Sequence, residues 1–83
     1  VAAHDIGRAV NRPMLLGQIY GGIVQGMGMA LMEDVVVEKG RVKTLNFDRY
    51  RIPKTIHVPE ITPIIVENPD PTSPSGAKGI GEP

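Results

Sequence analysis

Residues 75–83, SGAKGIGEP, place a single carboxylate, Glu82, behind three glycines and one lysine. Gly76, Gly79 and Gly81 lack a Cβ, so the backbone there can take left-handed conformations and present several N–H groups to an approaching molecule. A carboxylate beside such an opening is a candidate general base, provided its surroundings tune its pKa. Two rivals share the glycine content. A phosphate-binding loop needs a lysine followed by Ser or Thr after the last glycine, whereas Lys78 precedes it. A dinucleotide fingerprint needs a strand running directly into its glycines, and none does so here. The remaining alternative is a glycine loop with a purely structural role.

Gln25 is the second candidate. It lies between Val24 and Gly26 in an apolar stretch, where a buried amide needs partners. Neighbouring backbone would satisfy it in one reading. In the other it is offered to a polar cofactor, with Gly26 and Gly28 clearing the space. His4 and His57 stand in no metal-ligand spacing, and the absence of cysteine removes thiolate sites, disulfides and thiol catalysis. No serine-nucleophile motif is present. Glu33, Asp34 and Glu38 read as a solvated face.

The elements that would position these residues follow from pattern. Val1–Ala3 begins a strand that turns at Asp5 and Gly7, and Asn11 and Pro13 feed the next helix. From Met14 to Met32, apolar residues recur at Leu15, Ile19, Ile23, Met27, Ala30 and Leu31, the steps of a helix buried on most sides. Each interior glycine costs about 1 kcal/mol against alanine, which is tolerated where another backbone or a ligand comes close. Residues 13–32 carry no charge and contain GxxxG spacings. Gln18, Tyr20, Gln25 and the glycines dilute their apolarity, favouring a helix inside a protein over a membrane span. The four methionines on or beside it read as adaptable packing. Val35–Val37, a Lys39-Gly40 turn and Val42, Leu45 and Phe47 suggest a β-hairpin. Pro53 and Pro59 imply an extended connection, residues 61–68 a strand with Pro63 at its start or an edge, and the remainder loop. The expected class is α+β: one long glycine-rich helix packed on a small, largely antiparallel sheet, with a glycine-rich C-terminal loop.

Eighty-three residues, ten glycines, eight prolines and three aromatics leave little to bury. The chain reads as one piece, 1–83, of a larger domain, or as one that gains stability by association, including self-association. Nine basic residues balance nine acidic ones, so no charge patch points to nucleic acid. VAAHDIGRAV carries charge where a signal peptide needs an apolar core.

DIGRAVNRP, GQIYGGIVQGMGMALMED, YRIPKTIHVP and PSGAKGIGEP, in that order, resemble the C-terminal part of the molybdopterin-binding domain of the xanthine dehydrogenase and aldehyde oxidoreductase family. The resemblance spans essentially all 83 residues. It implies a cytoplasmic molybdenum hydroxylase that introduces a water-derived oxygen into an N-heterocycle or aldehyde. The glutamate of the terminal loop, the family's general base, matches Glu82, and the helix glutamine beside the pterin matches Gln25. Gly26, Gly79 and Gly81 then become cofactor-side positions, and this stretch supplies no metal ligand. Molybdenum–molybdopterin is the implied cofactor. The implied partners are the remainder of the molybdenum-binding subunit, iron–sulfur and flavin (FAD) subunits or domains, and a small-molecule substrate. His57 stands where the family commonly has an acidic residue, and Arg12 interrupts its Asn-Pro. The isolated 83 residues are expected to bind no cofactor, with a mobile terminal loop. The rival class is a non-enzymatic interaction module that docks through its apolar helix.

Overall fold

The computed structural model describes residues 1–81. The expected Glu82 site thus lies one residue outside the described residues. The chain divides into two compact units, Val1–Ile23 with Glu60–Pro83, and Val24–Pro59.

The first unit is built on two strands from opposite ends of the sequence. β1 (Ala2–Asp5) and β4 (Pro63–Val66) pair in parallel, with Ala2 opposite Pro63 and Asp5 opposite Val66. The ladder continues through Ile6, whose N–H donates to the Val66 carbonyl at 3.0 Å. Pro63 opens its strand, where its missing N–H does least harm. Burial alternates along both strands, as a period of two residues demands. The α-helix α1 spans Arg12–Leu31 and so runs through both units. The Asn11 side chain accepts the Met14 N–H at 3.1 Å, capping one of the helix's orphan donors, and Pro13 sits in the first turn, where no N–H is missed. Leu15 and Ile19, four residues apart, bury one helix face against Ile6. Ala2, Ala9, Ile23, Ile65 and Ile80 pack around these three. Each fully buried aliphatic contributes about 1.5–3 kcal/mol, so the core is small.

In the second unit β2 (Val37–Glu38) and β3 (Arg41–Val42) form an antiparallel hairpin. Lys39 and Gly40 both take positive φ, the signature of a type I′ turn. The helix ends as Met32 and Glu33 both donate to the Gly28 carbonyl. Gly28 is buried, and a Cβ there would lie 2.6 Å from the Pro53 ring. The Tyr50 hydroxyl donates to Glu33, which raises the tyrosine pKa.

The α+β class, one long helix with small sheets, is as the sequence implied. Several details differ. Pairing is split between one parallel and one antiparallel ladder rather than being largely antiparallel. The parallel pair joins residues about sixty positions apart, a partnership that alternation within either strand does not encode. The helix is not buried on most sides within these residues: Met14, Met29 and Leu31 are 71%, 64% and 77% exposed. By length and composition alone it could cross a membrane. Leu45 and Phe47 lie outside the hairpin and are exposed, because the ladder closes after two residues per strand. Between Pro53 and Pro59 the chain makes a 3-10 turn, Thr55–His57, since a single short turn needs no N–H from either proline. There the Lys54 N–H donates to His57 Nδ1 at 3.0 Å.

Candidate functional site

The terminal loop grows from a dense junction at the end of β1. Asp5 lies there with one oxygen accepting the Gly7 N–H at 3.0 Å and the Asn68 N–H at 3.4 Å. Its other oxygen accepts Lys78 Nζ at 2.5 Å. The Lys78 hydrogen bond, and then that from the Gly7 backbone, hold the Asp5 carboxyl below its ordinary pKa of 3.8. The Lys78 N–H donates to the Ile6 carbonyl at 2.9 Å, so side chain and backbone of one residue both fasten the loop to β1.

Gly7 makes that fastening possible. It is buried at φ +67, and a Cβ there would collide with the Gly76 carbonyl and come within 3.0 Å of the Lys78 nitrogen. Between β4 and Lys78 the chain closes on itself. The Asp70 N–H donates to the Gly76 carbonyl at 3.0 Å and the Gly76 N–H to the Ser73 carbonyl at 3.0 Å. Asp70 also accepts the Thr72 N–H and hydroxyl, which lowers its pKa. Gly76 takes φ +74, as the glycine content implied, and is the one glycine of the terminal loop seen in the left-handed region among the described residues.

Beyond Lys78 the loop lies along α1. Ile80 is half-buried against the Ile6–Leu15–Ile19 core. The Gln18 side-chain amide donates to the Gly81 carbonyl at 2.6 Å. Gly79 and Gly81 are exposed, and their Cβ positions face open space. A cavity of about 390 Å³ opens beside the loop, its lining including Met14, Leu15, Gln18, Ala77, Lys78 and Ile80.

In the second unit Gln25 and Gly26 are both exposed on α1, and nothing lies within 4 Å of a Cβ built on Gly26. Gln25 therefore meets solvent rather than the buried environment its apolar neighbours suggest. Its amide takes no side-chain hydrogen bond among the described residues. An unengaged amide and one glycine backbone open to approach are groups that suit a polar, hydrogen-bonding cofactor such as a pterin. Among the described residues no cluster of three potential metal ligands occurs.

The junction contains residues that sequence reasoning passed over. Gln18 was visible only as a polar interruption of the apolar helix, although Gly17-Gln18 mirrors Gln25-Gly26 seven residues later. Asp5 carried a weaker signal, an acidic residue two before a glycine.

Residues 1–59 match the family described as molybdopterin cofactor-binding domain. The chain is 34% identical over 82 residues to the xanthine dehydrogenase molybdenum-binding subunit of Escherichia coli O157:H7, covering 96% of this chain and 11% of that protein. It is 35% identical over 82 residues to the nicotine 6-hydroxylase large subunit of Paenarthrobacter nicotinovorans, covering 98% and 10%. Among solved structures, quinoline 2-oxidoreductase from Pseudomonas putida 86 superposes with a TM-score of 0.91 at 40% identity, over 96% of this chain and 10% of that one. The chain thus spans about a tenth of the length of these relatives.

Proposed function

Because the chain belongs to the molybdopterin cofactor-binding domain family, we propose that it is part of the molybdenum-binding subunit of a hydroxylase in which Glu82 is the general base. The substrate class is an N-heterocycle or aldehyde, oxidised with oxygen derived from water. The observation that carries this reading is the family match over residues 1–59 together with relatives that align across nearly the whole chain. Names among those relatives cover a xanthine dehydrogenase, a nicotine hydroxylase and a quinoline oxidoreductase, all acting on nitrogen-containing rings by those names.

Gln25 and Gly26 on α1, and Gly79 and Gly81 in the loop, are the residues of this chain that would hold the cofactor. The molybdenum group, when bound, supplies the two-electron oxidant. The chain's own contribution is to hold a carboxylate on a fastened loop, where it removes a proton from the water-derived oxygen as that oxygen joins the substrate carbon. Iron–sulfur and flavin partners would carry the electrons away, in the cytoplasm. Exposed Met14, Met29 and Leu31 suit packing against the remainder of the subunit. The 83 residues alone would bind no cofactor and show no turnover; molybdenum retained by the isolated chain would overturn that.

The test is Glu82→Gln in the full-length enzyme. The amide keeps the size and removes the base, so turnover should fall by about 10²–10⁴ while molybdenum content stays the same. Retained turnover would remove Glu82 from the mechanism.

A further inference from the structure

A general base must be held to within about 0.5 Å of its productive position, and the backbone that carries it must be fixed to that tolerance. Residues 79–81 do not supply this by themselves. Gly79 and Gly81 are exposed, face open space, and have the widest conformational freedom of any residue type. The Asp5–Lys78 junction fixes the root of the loop, but two glycines separate that root from residue 82. A second hold is needed close to the end, and the structure contains one.

We propose that Gln18 is a positioning residue for Glu82, acting through the Gly81 carbonyl; the proposal rests on the reading of Glu82 as the base. The Gln18 amide donates to that carbonyl at 2.6 Å. The carbonyl belongs to the peptide unit that leads into residue 82, so holding it restrains the plane from which Glu82 departs. The donor is itself well placed. Leu15 is 7% exposed and Ile19 0%, which anchors the turn of α1 that carries Gln18. Ile80, the residue between the two glycines, packs against this same core. The loop is thus gripped at Lys78, Ile80 and Gly81 in succession, and only the last grip adjoins the base. A glutamine suits the task because its neutral amide donates to a carbonyl without placing a charge beside a carboxylate, whose pKa such a charge would shift.

The test uses the full-length enzyme with bound molybdenum quantified. Gln18→Met keeps the length of the side chain and removes the donor. Gln18→Lys restores a donor of similar reach. Gln18→Met should lower kcat about tenfold to a hundredfold, the scale of a 1 Å misplacement, with KM changed by less than about twofold. Amide hydrogen exchange at residues 79–81 should accelerate in the same variant while molybdenum content stays constant. Gln18→Lys should recover the exchange protection, while its charge beside residue 82 keeps kcat below that of the parent. Unchanged exchange in Gln18→Met would overturn the clasp, and so would a fall in kcat that merely tracks lost molybdenum. Should Glu82→Gln retain turnover, the base reading fails, and with it the link from Gln18 to catalysis. The exchange measurement would still report whether Gln18 holds the loop, so the two failures are distinguishable.

Discussion

The root and the end of the terminal loop are both rich in glycine, yet their glycines answer to different demands. At the root Gly7 is buried in a left-handed conformation, and a Cβ there would strike the Gly76 carbonyl. At the end Gly79 and Gly81 face open space, as does Gly26 on α1. The first glycine is required by contacts inside this chain. Nothing among the described residues lies near the Cβ positions of the others, and the proposed function assigns their small size to a cofactor outside this chain. Gly28, closed off by Pro53, belongs with Gly7 despite lying two residues from Gly26.

The contrast breaks most readily at Gly7. Alanine there must take positive φ and displace backbone, so Gly7→Ala should cost about 2–4 kcal/mol in the full-length protein, read as a lowered denaturation midpoint. A stability within about 0.5 kcal/mol of the parent would dissolve the distinction between root and end. Gly28→Ala comes next, at about 1–2 kcal/mol, because the clash with the Pro53 ring outweighs the helix propensity of alanine. Gly26→Ala sharpens the comparison by the opposite sign: with open space around it, folding should gain up to about 1 kcal/mol while molybdenum content falls. A variant that gains stability and keeps its full cofactor complement would return Gly26 to a structural role.

The smallest effect is expected from acid. Asp5 has a depressed pKa in the folded chain, so its stabilisation is present above its ordinary value of 3.8 and is lost as pH falls through the lower, folded value. Asp5→Asn should therefore flatten the acid limb of the stability curve below about pH 4, leaving Asp70 to contribute what slope remains. An unchanged acid limb would show that the Lys78 contact contributes little to holding the root.

The sequence conveyed what is local. The Lys39-Gly40 turn, the Pro63 strand start and the helix around Leu15 and Ile19 each follow from residues adjacent in the chain or one helical turn apart. Gln25 and the terminal glycines also stood out, since an amide or a run of small residues in an unusual setting is visible without coordinates. The junction was not visible. Asp5 meets Lys78 across 73 residues and Gln18 meets Gly81 across 63, and no periodicity links such positions. Even the grip on the loop was missed for this reason: a glycine-rich end looks loose until its distant partners are in place. Helix burial within these residues is less than the apolar stripe suggests, because such a stripe reports only that a surface wants covering. It does not say whether these 83 residues do the covering.

The parallel pairing of β1 with β4 bears on when the site can exist at all. Ala2 and Pro63 must meet before Asp5 can receive Lys78, and closing a loop of about sixty residues costs roughly 3–4 kcal/mol beyond a constant term. The Lys39-Gly40 hairpin, by contrast, closes over two residues and can form in microseconds. Contacts of such long sequence separation assemble late. On the ribosome β1 must wait for β4, so the Asp5–Lys78 junction that roots the terminal loop is among the last contacts of these residues to form.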